Sequence, residues 1–195
     1  MFPLMVAYSV SSPPSHLVVG TMALVGGDVY HQTLLLLLWE LKEVSIEFGL
    51  CEIISKQTIR IRPKDGTPWF PNVSALEALL PTAMIDHSVD CIYQELPPWE
   101  ETLNGARERY RYVILALADK YPNENLLLVT HGEGVGVSVT AFMEETEIDD
   151  VEFCAYSQLQ RKICLKDSRV PTAEPFTVLT DIGGSTGIRF SKILT

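Results

Sequence analysis

Positively charged residues are scarce in this chain, and arginine is absent from its first 43 residues, which contain one lysine, Lys42. Over all 195 residues, 15 lysines and arginines stand against 25 aspartates and glutamates, for a formal charge of -10. This balance excludes the broad basic surface that binds nucleic acids or anionic membranes. We therefore expect neither among the partners, and any phosphate site has to be locally positive.

Cysteine and long apolar runs are also lacking. The 4 cysteines form no Cys-x-x-Cys pair, which disfavours a metal site and a disulfide framework. The apolar runs 17–25 and 34–38 are too short to cross a bilayer, and no basic segment of a secretory signal precedes them. We therefore expect a protein of a reducing compartment, the cytoplasm, with no metal and no other cofactor.

The chain does have enough apolar residues, 47%, for the core of one ordinary domain. The apolar spacing from Trp99 to Tyr121 predicts an amphipathic helix with Glu100 and Glu101 in its first turn. The apolar run 126–130 predicts a strand buried on both faces, followed by a tightly packed helix. We further expect helices over 33–43, 74–80 and 86–96, strands over 44–50, 151–156, 158–165, 176–180 and 187–190, and an exposed acidic loop over 144–150.

His131 stands where this buried strand is expected to end, and Gly132, Gly134 and Gly136 follow it. The free N–H groups of a helix N-terminus attract anions, and glycine lets an anion approach closely. Open α/β sheets bind ligands at the carboxyl ends of their strands. The pattern therefore predicts an anion site at His131, although a half-buried, inert loop histidine fits it equally well. The glycine spacing matches no dinucleotide fingerprint, and a P-loop lysine is absent.

Four segments carry motifs whose order and spacing are informative together. They are Glu47-Phe48-Gly49-Leu50-Cys51-Glu52, Trp99-Glu100-Glu101-Thr102, Leu127-Leu128-Val129-Thr130-His131-Gly132-Glu133-Gly134-Val135 and Phe153-Cys154-Ala155-Tyr156. The first resembles the acid-bearing segment of the histidine phosphatase superfamily, which includes the phosphoglycerate mutases, and the third resembles its second-histidine motif. The second resembles the helix before that histidine, and the fourth resembles the strand after it in the eukaryotic phosphatase-like branch.

The resemblance implies an α/β fold, a three-layer sandwich around a mostly parallel sheet, and phosphoryl transfer through a phosphohistidine. Carried over by position, the catalytic residues are Glu52, the general acid, and His131, the second histidine. Gly132, Glu133 and Gly134 would lie against the phosphate, and the ligand would be a phosphorylated small molecule or weakly bound phosphate. In the family, an Arg-His-Gly motif ending the first strand supplies the nucleophile. Two arginines clamp the phosphate, because its transition state spreads charge over three oxygens.

The nucleophile and the clamp of the family have no counterpart here. No Arg-His-Gly occurs, and neither His16 nor His31 has an arginine beside it. Arg60 and Arg62 follow the acid instead of preceding it. Arg62 is our candidate for the mouth of the phosphate site, although an exposed surface role suits it better.

These departures predict an incomplete sandwich that lacks the usual first strand. We expect residues 1–43 to be a non-family segment, 44–165 to be the histidine phosphatase-like domain, and 166–195 to be a tail with short strands. The strand over 126–130 would then lose a hydrogen-bonding neighbour, unless the leucines of 34–38 cover it. An unpaired apolar strand is a template for association, so we expect a poorly stable chain that self-associates through this edge.

Three functions fit the sequence. The favoured one is a phosphatase-like domain, inactive or severely impaired, that binds phosphate weakly at His131. A non-enzymatic interaction module comes second, and an active phosphatase with a substitute nucleophile such as His31 comes last. Losing one electrostatic donor typically costs about a hundred- to thousandfold in rate, so the loss of both arginines and the nucleophile argues against the third function.

Overall fold

The computed structural model describes residues 6–10, 16–21, 44–58, 72–78, 85, 90–164, 172–180 and 186–193. Its strands are β1 (Val6–Val10), β2 (His16–Thr21), β3 (Val44–Ile46), β4 (Asn125–Thr130), β5 (Thr146–Val151), β6 (Tyr156–Gln160), β7 (Ile163–Cys164), β8 (Thr172–Ala173), β9 (Thr177–Val178) and β10 (Ile188–Lys192). The helices are α1 (Val73–Glu77), α2 (Leu103–Lys120) and α3 (Gly132–Thr140), and a 3-10 turn spans Phe48–Leu50. The helix expected over 33–43 lies outside the described residues.

Within the described ranges, the largest sheet contains six strands in the order β3-β1-β4-β2-β6-β9. β2 runs parallel to β4, and the other strand-to-strand pairings described in this sheet are antiparallel, while an isolated bridge from Val44 of β3 to Ile85 is parallel. The pairs β5–β10 and β7–β8 are antiparallel as well. The mixed α/β class is therefore confirmed. The described pairings differ from the mostly parallel sheet expected, because β1 and β6 each run antiparallel to both of their neighbours.

The strand that leads to His131 has hydrogen-bonding neighbours on both sides. β1 lies antiparallel along one edge of β4, and β2 lies parallel along the other, with Thr21 opposite Thr130. The expectation of an unpaired edge at 126–130 was therefore wrong, and with it the reason given for self-association. These contacts join segments that are far apart in sequence, and local composition does not reveal such pairings.

Helix α2 packs a buried face against the core because its buried positions recur every three or four residues. Thr102 caps it, since the Thr102 hydroxyl accepts a hydrogen bond from the N–H of Gly105 at 3.0 Å. The helix therefore begins at Leu103. The placement of Glu100 and Glu101 in its first turn was wrong, because both precede the cap.

A buried carboxylate ends the strand that was predicted over 44–50. Glu47 is 2% exposed, and its side chain accepts a hydrogen bond from the N–H of Gly49 at 2.9 Å. This bond caps the 3-10 turn, so β3 stops at Ile46. Burial raises the pKa of Glu47, and its backbone hydrogen bonds counteract part of that rise.

The same carboxylate explains why the helix expected over 86–96 is not observed in its described part, residues 90–96. Glu47 accepts hydrogen bonds from the N–H groups of Ile92 at 2.7 Å and Tyr93 at 2.9 Å. These donors hold the segment in an irregular conformation against the 3-10 turn. A contact over this sequence distance outweighs a short helical pattern.

The acidic segment 144–150, expected as an exposed loop, contributes most of strand β5. Thr146 is 2% exposed, and Ile148 lies against Gly136 of α3. Arg189 of the neighbouring strand β10 forms an ion pair with Asp150, which neutralises part of the acidic run. The acidic side chains of this segment are exposed as expected. The expectation of a loop was wrong, because the charges obscured the buried and half-buried positions between them.

The strand predicted over 151–156 was also wrong, because residues 152–155 form a turn in which Cys154 has a φ of 60°. The remaining predicted elements overlap with observed ones: α1, α2, β4, α3, β6, β7, β9 and β10. No helix in the described part of the chain is long and apolar enough to cross a membrane.

Helix α3 approaches α2 closely at Gly134. A Cβ atom at this position would collide with the hydroxyl of Tyr110 and lie 2.5 Å from Oγ1 of Thr130. A Cβ atom at Gly132, in contrast, would have nothing within 4 Å. Gly134 is therefore required for helix packing, whereas Gly132 faces open space.

Gly134→Ala is expected to lower the free energy of unfolding by about 1–3 kcal/mol, because overpacking forces buried neighbours apart. Gly132→Ala is the matched control in the same helix, and it should stabilise the chain by up to about 1 kcal/mol, since alanine is the better helix former. Urea unfolding measures both variants. Equal effects would contradict the close packing of α3 on Tyr110.

Candidate active site

His131 lies at the carboxyl edge of the six-stranded sheet. It follows Thr130, the last residue of β4, and forms the N-cap of α3, although its side chain makes no capping hydrogen bond. The parallel neighbour β2 ends beside it at Thr21. This edge therefore combines two parallel strand ends with a helix N-terminus, an arrangement in which α/β sheets bind ligands.

Glu52 reaches the same edge from the segment after the 3-10 turn. Its Oε2 lies 3.3 Å from Nδ1 of His131, and its Oε1 accepts a hydrogen bond from the N–H of Ile53 at 3.0 Å. The side chains of Glu52 and His131 are 25% and 18% exposed, so both are largely withdrawn from water but still accessible. The two residues predicted to be catalytic are therefore in contact.

Hydrogen bonds from α2 and β4 fix the turn that precedes Glu52. The hydroxyl of Tyr110 lies 3.0 Å from the carbonyl oxygens of both Leu50 and Cys51. The hydroxyl of Thr130 donates to the carbonyl oxygen of Leu50 at 2.6 Å. The same hydroxyl lies 2.5 Å from the hydroxyl of Tyr110. Because Thr130 directly precedes His131, one buried cluster holds both members of the pair.

Arg109 completes this anchor from the buried face of α2. Its Nη1 donates to the carbonyl oxygens of Gly49 at 2.7 Å and Cys51 at 3.1 Å. Its Nη2 lies 3.5 Å from the carbonyl oxygen of Glu52. Its Nε and Nη2 donate to the carboxylate of Glu101 at 2.7 and 2.6 Å. Burial alone would lower the pKa of Arg109, but the hydrogen bonds to Glu101 raise it above its ordinary value, so the guanidinium stays charged.

Sequence reasoning missed Arg109 and its partner Glu101. Arg109 falls between Ala106 and Val113 on the buried stripe of α2, and a charged residue there requires a partner. This position of Arg109 within the apolar stripe was the sequence signal that it is buried and paired. No local pattern identifies Glu101, which precedes the helix, as the partner.

Burial determines where the pair holds its proton. Burial is the main reason that the pKa of Glu52 is raised to about 7, a net value that includes a rise from the negative charge of Glu133 and opposing effects of the N–H of Ile53 and the charge of Arg109. Burial and, to a smaller extent, the positive charge of Arg109 together lower the pKa of His131 to about 4. At neutral pH the imidazole is therefore neutral, and Glu52 is poised between acid and carboxylate.

The residues predicted to bind phosphate divide into separate groups. Gly132 and Glu133 begin α3 beside His131, where Gly132 is half-buried and Glu133 is exposed. The carboxylate of Glu133 disfavours an anion there, although partial burial raises its pKa. Gly134 is buried against α2, so packing accounts for this glycine. Arg62 lies outside the described residues.

Of the histidines that could replace the missing nucleophile, the structure describes His16, which does not meet His131. His16 is at the opposite end of β2 from Thr21, about 16 Å along the strand at the usual rise per residue. His31, the candidate for a substitute nucleophile, lies outside the described residues. The carboxyl end of β2 itself carries Gly20 and Thr21.

Comparisons with known proteins do not assign the chain to a family: no protein-family model matches it, and no curated protein matches it significantly. Among the described residues, no group of three histidine, cysteine, aspartate or glutamate side chains is suited to a metal ion. A functional assignment therefore rests on the sequence motifs and on the chemistry of the Glu52–His131 contact.

The pH dependence of stability tests whether Glu52 is buried as described. Its folded-state pKa, about 7, lies above the ordinary value of 4.5, so the folded chain keeps this proton where the unfolded chain has lost it. The wild type therefore loses stability as the pH rises through this window, a loss that Glu52→Gln avoids. Between these two pKa values, the free energy of unfolding of Glu52→Gln should rise relative to that of the wild type by on the order of 1–2 kcal/mol. Above the folded-state pKa, this difference should stay constant.

Denaturant unfolding at a series of pH values measures this difference between Glu52→Gln and the wild type. A difference that stays constant with pH, including in the window between the two pKa values, would show that Glu52 is solvated rather than buried beside His131.

Proposed function

We propose that this chain is a phosphoglycerate mutase-like protein of the histidine phosphatase family whose catalytic activity is absent or severely impaired. The contact of 3.3 Å between Glu52 and His131 carries the proposal. These residues come from separate motifs, and the resemblance assigns both to one site. A chance resemblance gives no reason for them to meet. The proposal includes the three-layer sandwich of the family, a finer description of the mixed α/β fold, with β2 in the place of the first strand that was expected to be missing.

The strands next to His131 also support the proposal. In the family, the strand of the nucleophile lies beside the strand of the second histidine, and here β2 lies beside and parallel to β4. The carboxyl end of β2 carries Gly20 and Thr21 instead of arginine and histidine. The position of the nucleophile therefore offers neither an imidazole nor a guanidinium.

The state of Arg109 supports the impairment. It is the cation whose charge acts on His131, but its donors are engaged by Glu101 and by the carbonyl groups of Gly49 and Cys51. Phosphoryl transfer needs planar cationic donors directed at the equatorial oxygens of the phosphate. Arg109 cannot serve in that role without giving up its structural hydrogen bonds.

The pair that is present supplies part of the chemistry. With a pKa of about 7, Glu52 is suited to donate a proton to a leaving oxygen at neutral pH. When Glu52 is protonated and donates to Nδ1 of His131, the neutral imidazole carries its one proton on Nε2, the ring nitrogen away from Glu52, and can donate it to an oxyanion. Ionised Glu52 and Glu133 repel the same anion. The ligand we propose is accordingly phosphate, or a phosphorylated small molecule, bound weakly and better as Glu52 becomes protonated.

Hydrolysis of an aryl phosphate tests the impairment. At neutral pH the wild-type chain should release phosphate no faster than Glu52→Gln and His131→Ala, because nucleophile and clamp are both missing. Matching amide spectra would establish that the three proteins share one fold. Turnover that is present in the wild type and abolished by His31→Ala would contradict the proposal and identify a substitute nucleophile.

A further inference from the structure

We infer that Arg109 is the positioning residue of the Glu52–His131 pair, holding the turn that carries Glu52 against the strand end that carries His131. The inference rests on the proposed function, in which this pair is the retained site. The hydrogen bonds described for Arg109 go to main-chain carbonyl groups and to Glu101, and none goes to the side chains of the pair. Arg109 therefore acts through the turn, not on a ligand.

The carbonyl groups around Glu52 are the first basis for the inference. The 3-10 turn leaves carbonyl groups that no main-chain donor of its own satisfies. Arg109 binds those of Gly49 and Cys51 and approaches that of Glu52. Tyr110 shares the carbonyl group of Cys51 with Arg109 and also binds that of Leu50, to which Thr130 donates as well. The carbonyl oxygen of Glu52 accepts a hydrogen bond from Sγ of its neighbour Cys51 at 3.3 Å, and Arg109 is the side chain that reaches this oxygen from α2.

Glu101 supplies the second basis by fixing the direction of the guanidinium. The two side chains form a fork-to-fork pair with contacts of 2.7 and 2.6 Å and are 1% and 5% exposed. The N–H of Glu101 also donates to the carbonyl oxygen of Ile54 at 3.1 Å. The segment that carries Glu52 is therefore held on both sides of that residue by one Arg109–Glu101 unit.

The geometry demands arginine rather than any cation. Binding two carbonyl groups and both oxygens of a carboxylate requires a planar group with several donors in fixed directions, which lysine lacks. The charge has a separate effect, since it disfavours protonation of His131 and favours ionisation of Glu52. Glu133 acts on Glu52 in the opposite sense. Substitutions of Arg109 that keep its charge but change its donor geometry therefore separate these two effects.

The test follows the side chain of His131 by NMR as the pH changes. In the full chain, Arg109→Met should move the titration midpoint of His131 upward toward its ordinary value, because the turn releases Glu52, the imidazole gains solvent, and the repelling charge is gone. Arg109→Lys should give a smaller upward shift of the His131 midpoint, since lysine keeps the positive charge but lacks the planar set of guanidinium donors. Glu101→Gln, which keeps the charge of Arg109 but weakens its orientation, should also give an upward shift.

Two controls separate positioning from general destabilisation. Arg111→Met removes an arginine from the same helix whose described hydrogen bond goes to the carbonyl oxygen of Ala141. Leu117→Ala removes buried apolar atoms from the same helix. Neither should move the titration midpoint of His131. A folded Arg109→Met chain with the wild-type midpoint would overturn the inference. If that variant does not fold, an unchanged midpoint in Glu101→Gln would overturn it.

A phosphate titration of the same samples distinguishes this inference from the proposed function. If phosphate leaves the Gly132 amide of the wild type unshifted while Arg109→Met still moves the midpoint of His131, then phosphate binding fails and the positioning role of Arg109 stands. If phosphate shifts the amide equally in the wild type and in Arg109→Met, and the midpoint is unchanged, then the positioning role fails and the site stands.

Discussion

Hydrogen bonding to the carbonyl groups of residues 49–52 is the constraint on which the rest of the site depends. Those groups are buried where the sheet meets α2, and a buried carbonyl without a donor is costly. Arg109, Tyr110 and Thr130 supply the donors from two elements. Satisfying these groups fixes where the turn ends, and therefore where Glu52 lies relative to His131. The close approach of α3 at Gly134 belongs to the same cluster, because it brings that helix against the hydroxyl of Tyr110.

The electrostatics of the site follow from this packing. Burial favours the uncharged forms of both Glu52 and His131, and Arg109, the cation that acts on both groups, is already paired with Glu101. A site that turns over phosphate needs cations in excess, whereas this edge has carboxylates at Glu52 and Glu133 in a chain of formal charge -10. The Glu52–His131 contact can therefore be present in a site that lacks the positive charges needed for catalysis.

Periodicity predicted the elements that fold by local rules, and it failed where distant contacts decide. The buried strand before His131 and helix α2 were predictable because each has a long, regular apolar pattern. The segment 90–96 was not, because its donors bind Glu47, and β5 was not, because acidic residues concealed its buried positions. The flanking strands β1 and β2 depend on pairing with a distant strand. In the site, motif order identified Glu52 and His131, whereas the Arg109–Glu101 pair is visible only in the folded chain.

Anion binding at two pH values tests most directly whether Glu52 and His131 form one retained site. Sulfate is the suitable probe, because its charge stays constant from about pH 5.5 to about pH 8.5, a range that spans the titration of a carboxyl group with a strongly raised pKa. We predict that sulfate shifts the amide resonances of Gly132 and Gly134 more strongly at the lower pH, where Glu52 is uncharged, and that Glu52→Gln removes this difference. Flat amide resonances at both pH values, up to high millimolar sulfate, would contradict the claim that an anion site is retained at His131.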